Sequence, residues 1–239
     1  SENDVNICAI TDHDAFSYEM YTTLKAAEKT DNPIQKVLPG IEFSVKFEFD
    51  DIQSVIHVVA IFSDEEDEKV KNIEINLKDI KTDSDGTYSE EKFLQLLRLI
   101  DIDTILIAHQ KNSLTSSKPR KNDANSLGDK KFLEFVYTDY FEAFEFKNKR
   151  NEILNKSYLV QAGLEEQLRF VTGTDCHDWS VYPAEDLSDS LEEFPYTYAK
   201  CLPTFKGLVM AITDHTRLKM INSFFNVDRC SIDNIVLTN

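Results

Sequence analysis

The sequence predicts an α/β fold with mainly parallel strands, either a barrel or a doubly wound sheet, and three observations lead there. Short apolar runs of strand length alternate with helix-length patterns, and no repeat of solenoid period interrupts them. The 239 residues, 41% of them apolar, suffice for one sizeable core but not for two large domains. A single domain over 1–239 is therefore expected.

The elements follow in order. Val5 to Ile10 suits a buried strand and leads through Thr11-Asp12-His13-Asp14 into a helix with the apolar stripe Phe16, Met20, Leu24 and Ala27. After Leu38-Pro39-Gly40 the chain alternates, with Ile41, Phe43, Val45, Phe47 and Phe49 on one face and Glu42, Ser44, Lys46 and Glu48 on the other. That pattern predicts a strand with one wet face. Asp50-Asp51 reads as a turn into a second strand, Val55 to Phe62, completing a hairpin. The acidic run Asp64 to Glu68 predicts a solvated helix start, since carboxylates suit the positive end of the helix dipole. Thr87 and Glu90 have capping-box spacing ahead of the helical stripe Phe93, Leu96, Leu97 and Ile100. Thr104 to Ala108 predicts a strand ending in His109, and Tyr140 to Phe146 another. Asn148 to Gln161 predicts a helix stopped by Gly163, and Arg169 to Thr172 a strand entering Gly173-Thr174-Asp175-Cys176-His177. Residues 178–196 read as an acidic irregular segment, and Pro203 to Ile212 as a helix capped by Thr204.

Charge and composition exclude some functions. With 43 acidic against 26 basic side chains the formal charge is −17, which argues against a surface that coats nucleic acid or anionic membrane. Apolar stretches such as Val55 to Phe62 fall far short of the roughly 20 residues of a membrane helix. Cys8, Cys176, Cys201 and Cys230 show no CxxC spacing, so a reducing cytoplasm is expected and a disulfide framework or zinc finger is not. Ser1 in place of Met, with a strand-like run close behind, predicts further protein on at least one side.

His13, His109 and His177 each follow an apolar strand-like run, and Asp12 and Asp175 accompany two of them. Side chains just beyond the carboxyl ends of strands converge in both candidate architectures. Glu42 on the wet face and His57 inside a strand are further candidates. Taken singly, each has a bland reading as a hydrogen-bonded imidazole or a solvated carboxylate. Taken together, imidazole and carboxylate donors suit zinc, manganese or iron, and a carboxylate can bridge two metals about 3.5–4 Å apart. Ala-Ile-Thr-Asp-His occurs at 9–13 and again at 211–215. The second copy closes the helical pattern Phe205, Leu208, Val209, Ile212, so His215 is expected to be structural, at the negative end of that helix.

Ile10-Thr11-Asp12-His13-Asp14, Leu38-Pro39-Gly40-Ile41-Glu42, Ile56-His57-Val58, Ile107-Ala108-His109 and Gly173-Thr174-Asp175-Cys176-His177, in this order, resemble the polymerase and histidinol phosphatase (PHP) domain over about residues 5–180. The resemblance implies a distorted (β/α)7 barrel that holds two or three divalent metal ions at its strand ends and hydrolyses phosphoesters with metal-activated water. Position by position it implies metal ligation by His13, Glu42, His57, His109, Asp175 and His177, with Glu42 bridging, and a catalytic set of Asp12, Glu42 and His109. The family opens with a strand ending in HxH; no His precedes His13 here, so the expectation is a barrel without its first strand and with fewer metals. Tyr198-Ala199-Lys200-Cys201-Leu202-Pro203-Thr204-Phe205-Lys206-Gly207-Leu208 and Ser231-Ile232-Asp233-Asn234-Ile235 resemble the end of the PHP module in TrlF-type proteins, a C-terminal extension over about 197–239. There an ABC/SMC-like ATPase domain follows, and this chain has no GxxxxGK[ST] loop of its own.

The expected substrate is a nucleotide, a nucleic-acid end or a small phosphate. Two basic patches are candidate guides for it: Lys118, Arg120 and their neighbours in the basic stretch 111–131, and Lys147, Lys149 and Arg150. Solvated loops are the alternative for both. Cys176 reads as a packing residue, and Trp179 and Tyr182 as cover for the core. Two other functions fit the same residues: a catalytically impaired PHP-fold module serving an attached ATPase, and a metal-dependent hydrolase of carbon–nitrogen bonds.

Overall fold

A computed structural model of the chain describes residues 5–29, 33–49, 52–109, 141–145, 169–171, 197–214 and 216–219. In order, the elements are β1 (Ile7–His13), α1 (Tyr18–Lys25), β2 (Lys36–Phe49), β3 (Ile52–Phe62), α2 (Asp67–Asp79), β4 (Tyr88–Ser89), α3 (Glu90–Ile100), β5 (Thr104–His109), β6 (Ala143–Glu145), β7 (Phe170–Val171), β8 (Tyr198–Ala199), α4 (Phe205–Thr213) and β9 (Leu218–Lys219). The α/β class holds. Seven strands form one sheet in the order β1-β2-β3-β5-β6-β7, with β4 also on β2, while β8 and β9 form a separate antiparallel pair. Among the described residues no ladder joins β7 to β1, so the sheet is open there.

The ladders refine the expectation of mainly parallel strands. β1 and β2 pair in parallel, as do β5 with β6 and β6 with β7, but β3 is antiparallel to both β2 and β5. With β4, which is also parallel to β2, six strands thus share one direction, and β3 alone runs against them. The β2–β3 hairpin is the expected one, yet longer, because β3 starts at Ile52; β2 also starts earlier, at Lys36, and runs through Pro39-Gly40 beside β1. Pro39 fits inside the strand because the β3 ladder ends at Gly40↔Ile61, which leaves one edge of β2 open beside it. Gly40 is required by contact: a Cβ there would lie 2.8 Å from Thr11 Cγ2 and 3.1 Å from the Ala60 carbonyl oxygen.

The two faces of the sheet bury different cores. Odd positions of β2 (Ile41, Phe43, Val45, Phe47) and even positions of β3 (Ile56, Val58, Ala60, Phe62) are at most 1% exposed and pack under α1, α2 and α3. Phe43 stacks edge-on against Phe93 of α3, with ring centroids 5.3 Å apart. On the opposite face, Leu38, Ile105, Ile107 and Ala143 meet Phe205 and Ile212 of α4. Thr204 caps α4 as expected, its hydroxyl accepting from the Gly207 amide at 3.0 Å.

Three local expectations change. The Thr11-Asp12-His13 segment is strand, not loop, and His13 is the last residue of β1. The cap of α3 is Ser89, which accepts from the Lys92 amide at 3.3 Å, while Thr87 donates its hydroxyl to Asp85. Pairing of β4 with β2 holds the chain extended through Ser89, so the helix starts two residues after the capping-box spacing suggested. Finally, Asp64 is not a solvated helix residue. α2 begins only at Asp67, and the Asp64 carboxylate is buried between Lys36 and Lys25, the latter 3.0 Å away.

Candidate metal centre

The face that α4 covers turns polar toward the carboxyl ends of β1 and β5. Strand alternation dictates which side chains stand there. His13 is register partner to Glu42 across β1–β2, and Ser44 is partner to His57 across β2–β3. Ala108 pairs with Val58, which puts His109 on the same face as His57. The apolar odd positions of β2 take the core, so its even positions 42 and 44 are delivered to this face.

The side chains converge. Glu42 Oε1 lies 2.8 Å from His57 Nδ1, and Glu42 Oε2 lies 3.9 Å from His109 Nε2. His13 Nε2 is 3.5 Å from His57 Nε2 and 2.9 Å from Ser44 Oγ. The three imidazoles form a row, with ring centroids 4.9 Å apart from His13 to His57 and 5.6 Å from His57 to His109. Burial deepens along it: the His13 side chain is 54% exposed, that of His57 22% and that of His109 4%. One ligand atom from each of His13, Glu42 and His57 lies within 4.8 Å of the other two, so this group could hold a metal ion. Two imidazoles and a carboxylate are a donor set that zinc, manganese and iron accept.

Of the expected site residues, the structure brings together His13, Glu42, His57 and His109. Asp12 stands apart, exposed, because successive strand residues face opposite sides; it borders a cleft with Phe16, Ser17 and Tyr21. Asp175, His177, Lys118, Arg120, Lys147 and Arg150 lie outside the described residues, as do Cys176, Trp179, Tyr182 and His215. The two Ala-Ile-Thr-Asp-His copies do differ in context: the first is all strand, whereas Ala211, Ile212 and Thr213 close α4.

Two residues of the site carried no sequence signal for it. Ser44 is 4% exposed and contacts His13, and Asp14 lies 3.0 Å from His13 Nδ1 through Oδ2. Asp14 adopts φ +52°, in the left-handed region that Asp tolerates better than most residues, and this is invisible in a residue string. Among the described residues no helix is long and apolar enough to cross a membrane.

No family model and no curated protein matches the chain. Among solved structures, a candidate metal-dependent phosphoesterase from Bifidobacterium adolescentis aligns over 85% of this chain and 84% of its own, with a TM-score of 0.39 and 13% sequence identity. A likeness of that size is slight, and the site stands on its own geometry.

Proposed function

We propose that the chain is a metal-dependent phosphoesterase domain of the PHP type. The observation that carries the reading is the placing of one carboxylate, Glu42, with an oxygen toward each of His57 and His109, and with His13 beside His57. A carboxylate so placed suits a bridge between two cations. The order of the five sequence motifs supports the same reading.

In this proposal His13, Glu42, His57 and His109 hold two or three divalent ions of zinc, manganese or iron, with Asp175 and His177 completing the set. When bound, such ions lower the pKa of water and stabilise charge on a phosphoryl oxygen. The chain's own part is to fix the donors. Glu42 holds His57 through Nδ1, which leaves Nε2 on the side of His13. Buried His109 closes the inner end, and half-exposed His13 marks the side open to substrate. Asp12, on the opposite side of β1 beside Phe16 and Tyr21, has no part in this set. Lys118, Arg120, Lys147 and Arg150 are proposed to hold phosphate of a nucleotide, nucleic-acid end or small phosphoester. The proposal extends to a barrel closed beyond the described strands, to a cytoplasmic setting and to an ATPase domain elsewhere in the same protein.

The test is metal content by elemental analysis of the purified chain and of Glu42→Gln and His57→Ala, with hydrolysis of p-nitrophenyl phosphate and its bis-ester. Stoichiometric metal and hydrolysis, both lost in the variants, are expected. Metal far below stoichiometry in all three after resupply would reject the reading in favour of a non-catalytic module.

A further inference from the structure

We infer that Asp14 is a positioning residue for this centre: it fixes His13 as the tautomer protonated on Nδ1 and turns the Nε2 lone pair toward the cation, while Ser44 occupies that lone pair until a cation takes its place. The inference deepens the proposed function and rests on it.

Asp14 follows β1 directly, and its amide donates to the Glu42 carbonyl oxygen at 2.8 Å, one step beyond the β1–β2 ladder. At φ +52° the chain turns there, and the carboxylate comes back over the strand pair. Its Oδ1 accepts from the Ser44 amide at 2.9 Å, and its Oδ2 lies 3.0 Å from His13 Nδ1. One carboxylate therefore ties the His13 ring to the backbone of β2. An ionised carboxylate only accepts, so Nδ1 carries the hydrogen and Nε2 the lone pair. The ring needs such a tie, because a side chain 54% exposed is not held by packing.

At Nε2 the Ser44 hydroxyl, 2.9 Å away, donates. A cation arriving at Nε2 displaces that hydrogen bond, whereas the bond at Nδ1 persists and keeps the imidazole oriented and basic. Hydroxyl, imidazole and carboxylate in this order are also the parts of a nucleophile with its base. Ser44, however, is only 4% exposed, and a nucleophile must meet its substrate. Orientation is the role that burial allows.

The test uses the 239-residue chain. Long-range proton–nitrogen spectra of the metal-free protein, labelled at histidine, read the tautomer of His13. Calorimetric titration with zinc then compares the wild type with Asp14→Asn and Ser44→Ala. Asn tolerates the left-handed conformation, and its side-chain oxygen still accepts from Ser44, so the turn survives the substitution. The expected result is an Nδ1–H His13 in the wild type, loss of that preference in Asp14→Asn with zinc affinity lower by about 10- to 100-fold, and zinc binding in Ser44→Ala at least as tight as in the wild type. An Nε2–H His13 in the wild type, zinc binding by Asp14→Asn equal to the wild type, or weaker binding by Ser44→Ala would each overturn the inference. A tautomer that responds to Asp14→Asn in a chain that takes up no zinc would support the orienting role and reject the metal-binding reading instead.

Discussion

Glu42 and His57 meet at 2.8 Å as diagonal rather than direct neighbours, for the β2–β3 register pairs Glu42 with Val59 and His57 with Ser44. Diagonal neighbours on one sheet face stand about 7–8 Å apart at the backbone, within reach of long side chains. The offset leaves the position directly opposite His57 to the small Ser44, and the His13 ring uses that space to approach.

Stability and metal binding should separate between adjacent residues of β2. Phe43 is fully buried against Phe93 and Tyr88, so Phe43→Ala is expected to cost about 3–5 kcal/mol in urea unfolding. Glu42→Gln is expected to unfold near the wild-type midpoint without zinc, and to lack the rise in melting temperature that the proposed site predicts for the wild type with zinc. A large loss of metal-free stability in Glu42→Gln would contradict this division.

Gly40→Ala is expected to destabilise the chain by about 1–3 kcal/mol, since the new methyl group meets Thr11 Cγ2 and the Ala60 carbonyl. Adding Thr11→Ser removes the closer obstacle and should restore part of the loss. Equal denaturant midpoints for Gly40→Ala and the wild type would show that β1 can move away freely.

Acid should weaken the fold partly through Asp64. Burial disfavours its charge, but hydrogen bonds from Lys36 and Lys25 outweigh that and hold its carboxyl below the ordinary aspartate value. A carboxylate with a lowered folded pKa contributes stability that is full above its unfolded value of about 3.9 and is lost as pH falls through the folded one. Unfolding midpoints measured from about pH 7 down to about pH 3 should therefore fall less steeply for Asp64→Asn than for the wild type. Parallel curves would assign the acid sensitivity elsewhere.

The strict alternation from Ile41 to Phe47 made one face of β2 legible as core and the other as available, and that placed Glu42. The apolar run Thr104 to Ala108 placed His109 at a strand end, and the run ending at Ile10 placed His13 a few residues beyond one. What could not be read were features set by neighbours distant in sequence. The antiparallel pairing of β3 with β5 joins strands more than 40 residues apart, the start of α3 at Ser89 depends on the hold of β2 on β4, and the burial of Asp64 depends on Lys25 and Lys36. Asp14 escaped because its role comes from a backbone angle, and Ser44 because a wet-face serine looks the same whether it meets solvent or His13.

The division of labour along β2 also shapes how this protein can evolve. Point substitutions at positions 42 and 44 can exchange one donor for another while Ile41, Phe43 and Val45 remain undisturbed, so binding preference can drift under selection without a change of scaffold. A one-residue insertion or deletion inside the strand would do the opposite, turning Phe43 outward and Glu42 into the apolar interior. Descendants of this chain should therefore vary in length between their strands and in chemistry along them.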